Sequence, residues 1–161
     1  MKKYKFTGET KTIYLPFGTV TLHRIKAVVE FGLVKVGDLG GWIEKEENLS
    51  HEENAWVYGD AEVCGNAWVC GNAWVCGNAK VFSTDHVLVI GAIGSRNDFT
   101  TFFRDKDNEI TVKCGCFLGK IDKFLEKVTQ THKDTKHTLA YRTAVEVAKL
   151  QIDLTEKSTR R

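Results

Sequence analysis

The residues best suited to chemistry lie between two apolar stretches, where Gly91-Ala92-Ile93-Gly94-Ser95-Arg96-Asn97-Asp98 precedes Thr100, Thr101 and Arg104. Glycines leave backbone N–H groups free to converge on an anion. Ser95, Thr100 and Thr101 add hydroxyl donors, and the planar Arg96 guanidinium can grip a phosphate or carboxylate at two points. Asn97 or Asp98 can read a base edge or a ribose. Gly94, Ser95, Arg96, Asn97, Asp98, Thr100, Thr101 and Arg104 therefore form the candidate ligand-binding set. A second reading stays open, in which Ser95 to Asp98 make a polar β-turn whose side chains satisfy one another. The spacings GxxxxGK[ST] and GxGxxG are absent and no helix is expected to start at this loop, which argues against an NTPase or a dinucleotide dehydrogenase.

A catalytic reading needs a base, and His23, His51, His86, His132 and His137 have no evident partner in the sequence. Cys114-Gly115-Cys116 is too tight for the usual CxxC redox or zinc pair; within one strand both thiols would share a face, either as small residues beneath a helix or as a reactive thiol. Neither a catalytic residue, a metal site nor a cofactor is expected.

The element that must carry this loop is announced by a repeat. Residues 54–83 read NAWVYG, DAEVCG, NAWVCG, NAWVCG, NAKVFS, with Ala and Val in fixed places and Gly-Asn or Gly-Asp at the boundaries. Such hexads suit a parallel β-solenoid of short strands with Ala and Val inward and turns at positive φ. Three hexads per triangular coil would stack residues eighteen apart: Trp56 over Trp74, Glu62 over Lys80, Trp68 over His86, and, inward, Val57 over Val75, Val63 over Val81 and Val69 over Val87. Cys64, Cys70 and Cys76 would then lie on different faces, which argues against a thiolate metal cluster. Trp56, Trp68 and Trp74 would point outward as an aromatic surface that subunit packing, the C-terminal helices or a purine-like ligand could cover.

Around the repeat, TVTLHRIKAVVEFG suits one or two strands capping the solenoid, while HVLVIGAIG, FTTFFR and ITVKCGCF suit three strands, with DKDNE as a hairpin turn. Ile121, Phe124, Leu125 and Val128 keep helical spacing, and Leu139, Ala140, Ala144, Val147, Ala148 and Ile152 define a second helical stripe. The expected organisation is an N-terminal β cap at 1–42, a hexapeptide-repeat β-helix of about two coils at 43–90, a small α/β domain with two helices at 91–154 and a frayed tail at 155–161. The fold class is thus mainly β with an α+β C-terminal part.

The hexads resemble the left-handed β-helix family of hexapeptide-repeat proteins, a resemblance that implies trimeric assembly and includes acyltransferases and carbonic anhydrases. The stretch from Leu22 to Val63, above all GDLGGWIEKEENLS at 37–50, is similar to the N-terminal signature of small hexapeptide-like proteins of bacteriophages and prophages. IGSRNDFTTFFR at 93–104 and CGCFLGKIDKFLEKV at 114–128 resemble a C-terminal module found behind such repeats.

Composition limits the partners. The 161 residues carry a net charge of +2, and residues 44–62 hold seven acids against Lys45 alone, so a DNA or RNA polymer is not the expected partner. No apolar run has the length of a signal peptide or membrane span, and the cysteines number five, an odd count, which predicts a cytoplasmic protein with reduced thiols and no membrane partner. Together these readings predict a non-catalytic homo-oligomer, a trimer or hexamer, that sequesters a small phosphate-bearing nucleotide signal in the host bacterial cytoplasm. The alternatives are a protein-interaction module that inhibits a host factor, and an acyltransferase or carbonic-anhydrase-like enzyme.

Overall fold

The computed structural model describes residues 2–16 and 18–155; the expected tail beyond Thr155 lies outside them. Strands β1 (Tyr4–Leu15) and β2 (Gly18–Ala27) form a long antiparallel hairpin, and β2 pairs on with β3 (Leu39–Ile43). The hexads supply four two-residue strands, β4 (Trp56–Val57), β5 (Glu62–Val63), β6 (Trp74–Val75) and β7 (Lys80–Val81). A second sheet follows from β8 (Val87–Ile93), β9 (Asp98–Arg104), β10 (Ile110–Cys114) and β11 (Phe117–Lys120), then helices α1 (Ile121–His132) and α2 (Lys136–Gln151).

These elements do not make the expected two-coil left-handed β-helix. They divide into a mixed five-stranded sheet in the order β1-β2-β3-β5-β7, an antiparallel four-stranded sheet in the order β11-β10-β9-β8, and the pair β4-β6. Residues eighteen apart do pair in parallel: Trp56 with Trp74, Val57 with Val75, Glu62 with Lys80 and Val63 with Val81. On the third face the register fails. Val69 bridges Leu49, residues 84–86 turn into a 3₁₀ helix, and Val87 pairs with Phe103 instead of Val69. On that face Asp85 stands where the inward Ala should be, and the long N-terminal hairpin, paired on through β3 to β5, extends the sheet instead.

Strand β1 is one that the charged opening of the sequence does not announce. Before a bulge between Phe6 and Thr10, Tyr4 and Phe6 face the packed side; after it Lys11, Ile13 and Leu15 do, so Lys5 and Glu9 stay in solvent. The hairpin is tied to the repeat through Glu62, a buried carboxylate that receives Lys11 Nζ and Lys80 Nζ, each at 2.8 Å. Inside the repeat every hexad Ala and Val from Ala55 to Val81 is buried, and Phe103 joins them from β9.

The hexad boundaries require glycine: Gly59, Gly65, Gly71 and Gly77 have φ of +68°, +66°, +62° and +63°. They differ in what surrounds them. A Cβ on Gly71 would meet nothing within 4 Å, whereas one on Gly65 would lie 2.6 Å from the Phe82 carbonyl oxygen. Gly71→Ala should therefore cost the left-handed strain alone, about 1 kcal/mol, and Gly65→Ala roughly 3 kcal/mol once the carbonyl must move. Urea midpoints measured on both variants check this; equal losses would show that the carbonyl contributes nothing.

Strand β9 joins the two halves by alternation. Phe102 packs with Val112, Phe124, Tyr141 and Val145 under the helices, while Phe103 turns into the repeat. The ITVKCGCF stretch is two strands rather than one, because Gly115 at φ +57° lets the chain reverse between Cys114 and Phe117. On α2 the expected stripe is rotated. Tyr141, Ala144, Val145 and Ala148 are buried, whereas Leu139 is 67% and Val147 42% exposed, because the amphipathic Tyr141 takes the place that counting Leu and Val alone would give them.

Candidate functional site

Where the repeat meets the second sheet there is a cleft of about 660 Å³, within the range typical of small-molecule sites. Three parts of the chain build it. The tight turn Phe31–Val34 brings Gly32 and Leu33 to one edge, and the repeat contributes Asn54, Asn72 and Trp74. From the second sheet, Arg96, Asp98, Phe99 and Thr101 come from the β8–β9 hairpin, and Lys113, Gly115 and Cys116 from β10–β11.

The charged lining is two cations and one acid. Arg96 stands on the turn Gly94–Asn97, closed by the Asn97 N–H donating to the Gly94 carbonyl at 3.1 Å. That turn is braced from below, since a Cβ on Gly94 would fall 1.9 Å from the Tyr141 hydroxyl. Burial and the neighbouring Cys114 push the Tyr141 hydroxyl up to about 12, so it stays neutral. Lys113 is opposite Thr101 in the β9–β10 ladder; its ammonium donates to the Gly115 carbonyl and stands 5.9 Å from the centre of the Trp74 ring. Among the described residues neither Arg96 nor Lys113 makes an ion pair. Asp98 uses one carboxylate oxygen to accept the Phe99 N–H at 2.8 Å.

Of the sequence-predicted set, the structure brings Arg96, Asp98 and Thr101 to the cleft. Ser95 and Asn97 are exposed on the turn and do not line it, and Gly94 packs on Tyr141. Thr100 is buried on the helix side, where its hydroxyl donates to Cys114 Sγ at 3.3 Å. Arg104 is buried further along β9; its Nε–H donates to the Lys80 carbonyl at 2.9 Å and its guanidinium covers Phe82 at 4.9 Å. Thr100 thus bonds within its own sheet and Arg104 bridges to the repeat, and neither lines the cleft.

The three tryptophans also separate. Trp56, expected outward at an oligomer interface, is only 3% exposed beneath Phe31 and Tyr4; Trp74 lines the cleft; Trp68, at 58%, faces solvent. Lys113, Asn54, Asn72 and Phe99 are cleft residues that sequence reasoning did not select. The first three carried a signal: Asn54 and Asn72 open hexads eighteen apart, and Lys113 shares the parity of Thr111, opposite the buried Ile110 and Val112.

No histidine reaches the cleft. His23 stacks on Phe6, and His51 stacks on Tyr4 while its Nδ1 accepts the Lys3 N–H at 3.0 Å. His86 is buried with Nδ1 accepting the Phe82 N–H, and burial together with the nearby Arg104 pulls it down to about 4; His132 and His137 sit together on the helices. The described residues contain no group of three or more His, Cys, Asp or Glu placed to hold a metal ion. None of the described helices is long and apolar enough to cross a membrane.

No protein-family model matches the chain. Over 62 residues it is 39% identical to a protein named the uncharacterized acetyltransferase YdcK of Escherichia coli strain K12, covering 36% of this chain and 19% of that protein. The chain thus spans about a fifth of the length of the curated relative it matches.

Proposed function

We propose that the chain binds a small phosphate-bearing, nucleotide-type ligand in this cleft and holds it unchanged. The observation that carries the reading is the convergence of Arg96 and Lys113, from two separate hairpins, on one cleft, with no ion pair to either among the described residues. A guanidinium that makes no ion pair in a concave site is a ready fork for phosphate, and a lysine ammonium in the same cleft adds a point charge. Retention without conversion makes the protein a sequestering agent for a nucleotide signal, in keeping with the phage-like stretches of its sequence. Assembly into a homo-oligomer would rest on Trp68, the one member of the tryptophan set with a largely solvent-facing ring.

Native mass spectra of the purified chain, alone and after incubation with a bacterial extract and with AMP, cyclic AMP and ADP-ribose, test the reading. The expected result is one retained, unmodified nucleotide per chain. A new product mass would instead mark an enzyme. Acyl transfer is the second reading, favoured by the partial likeness to an acetyltransferase; incubation with acetyl-CoA and an amine acceptor, followed by assay of free CoA, separates it from binding.

A further inference from the structure

We infer, resting on the binding reading above, that the ligand carries a flat heterocycle which stacks on the Trp74 indole while its phosphate lies on Arg96 and Lys113, so that the cleft selects nucleoside phosphates over bare sugar phosphates.

The repeat itself prepares this platform. Trp74 pairs in parallel with Trp56, eighteen residues earlier, and Trp56 is covered in turn by Phe31 and Tyr4. The next position in that ladder is Ala92, which belongs to β8, outside the hexads. The ladder of tryptophans therefore ends at Trp74, and Trp74 lines the cleft. The residue's backbone N–H donates to Thr101 Oγ1 at 3.0 Å, and the ring itself is held by its Nε1–H donating to the Asn54 carbonyl at 2.9 Å and by Tyr58 meeting it edge-on at 5.3 Å. A fixed indole loses little freedom on binding, so stacking on it is worth more than stacking on a mobile side chain.

The surroundings suit a base more than an aliphatic sugar. With its Nε1–H already committed to Asn54, the indole offers a ligand its π-face alone. Asn72, two residues before Trp74, brings a carboxamide to the same cleft, a group with both a donor and an acceptor for a base edge. Lys113, whose ammonium lies over the ring 5.9 Å from its centre, and Arg96 bring positive charge to the same cleft, for the phosphate that the stacked group carries.

The test is calorimetric titration of the full chain with AMP, GMP, ribose 5-phosphate and inorganic phosphate. A nucleoside monophosphate is expected to bind at least about tenfold more tightly than ribose 5-phosphate, the contribution of one base stack. Trp74→Ala should erase that gap while leaving ribose 5-phosphate affinity within about twofold, and Trp74→Phe, which keeps a π-face and guards against a folding defect, should keep most of it. Equal affinity of ribose 5-phosphate and the nucleotides, or an equal loss for all probes in Trp74→Ala with Trp74→Phe unaffected, overturns the stacking inference and leaves phosphate binding in place. Failure of every probe to bind the folded wild-type chain overturns both.

Discussion

If the cleft binds nucleotides as proposed, replacing Arg96 by Ala should lower the affinity for a nucleoside monophosphate such as AMP by roughly a hundredfold, the loss of charge-assisted bonds worth about 1.5–3 kcal/mol each. Stability should change by no more than about 0.5 kcal/mol, because Arg96 is an exposed turn residue that makes no ion pair among the described residues. Arg96→Lys recovers only part of the affinity, since an ammonium cannot form the two parallel bonds of a guanidinium. Lys113→Met costs less, about tenfold, because it removes a point charge whose stem still packs. Ser95→Ala, on the same turn but off the cleft, serves as the control and leaves binding unchanged. Calorimetry at two salt concentrations completes the set: wild-type affinity should fall with ionic strength and that of Arg96→Ala fall less steeply. An unaltered affinity in Arg96→Ala would place the ligand elsewhere and remove the basis of the binding proposal.

What the sequence showed and hid of this site follows from the range of its signals. Local alternation located β8, β9 and the Asp105–Glu109 turn, so the hairpin carrying Arg96, Asp98 and Thr101 was legible residue by residue. Which face each side chain takes depends on a partner layer the sequence does not name. Thr100 and Thr101 look equivalent in a row, yet one strand parity sends Thr100 to Cys114 and Thr101 to Trp74. The same limit applies to Arg104, whose guanidinium is drawn to Phe82 and the Lys80 carbonyl at the seam between the sheets.

The repeat illustrates the opposite case, a strong local signal that does not set the global shape. Register at eighteen residues is dictated by six-residue periodicity, and the four observed pairs on two faces follow it. Closure of a coil needs the third face, where Asp85 breaks the Ala position and Val87 finds Phe103. Strand β2 falls within the expected TVTLHRIKAVVEFG stretch, but β1 could not be read from charge and hydropathy because its bulge shifts parity midway, which cancels the period-two pattern that announces a strand. The separation of the tryptophans has a similar origin: Trp56, Trp68 and Trp74 hold the same hexad position, and only tertiary neighbours make one core, one solvent-facing and one cleft-lining.

The largest effect on stability is expected at Asp105, whose carboxylate ties the β9–β10 turn to β10 and β11. Its buried carboxylate accepts Lys120 Nζ at 2.7 Å, Thr111 Oγ1 at 2.6 Å and the N–H groups of Asp107 and Glu109 at 2.9 and 3.1 Å, while Ala79 bridges its backbone. Burial alone would push this carboxyl up, but the bonds from Lys120, Thr111, Glu109 and Asp107 outweigh it and hold it below the ordinary carboxylate value. Lys120 also reaches Asp107 and Glu109, at 2.9 and 3.1 Å, and although burial works against its ammonium the three carboxylates raise it. Asp105→Ala should cost about 3 kcal/mol, because it strips two N–H groups and a hydroxyl of their acceptor. Asp107→Ala, an exposed member of the same cluster, should cost at most about 1 kcal/mol. The pH dependence carries its own sign. A carboxyl held below its unfolded value gives stability that is complete above about pH 4 and is lost as pH falls through the lower folded value, so the wild-type unfolding free energy should drop between neutral and strongly acidic solution. Asp105→Asn keeps the shape without the titration, and its urea midpoint should fall less over the same range; parallel curves for the two proteins would show that the carboxylate is not what ties the turn to β10 and β11.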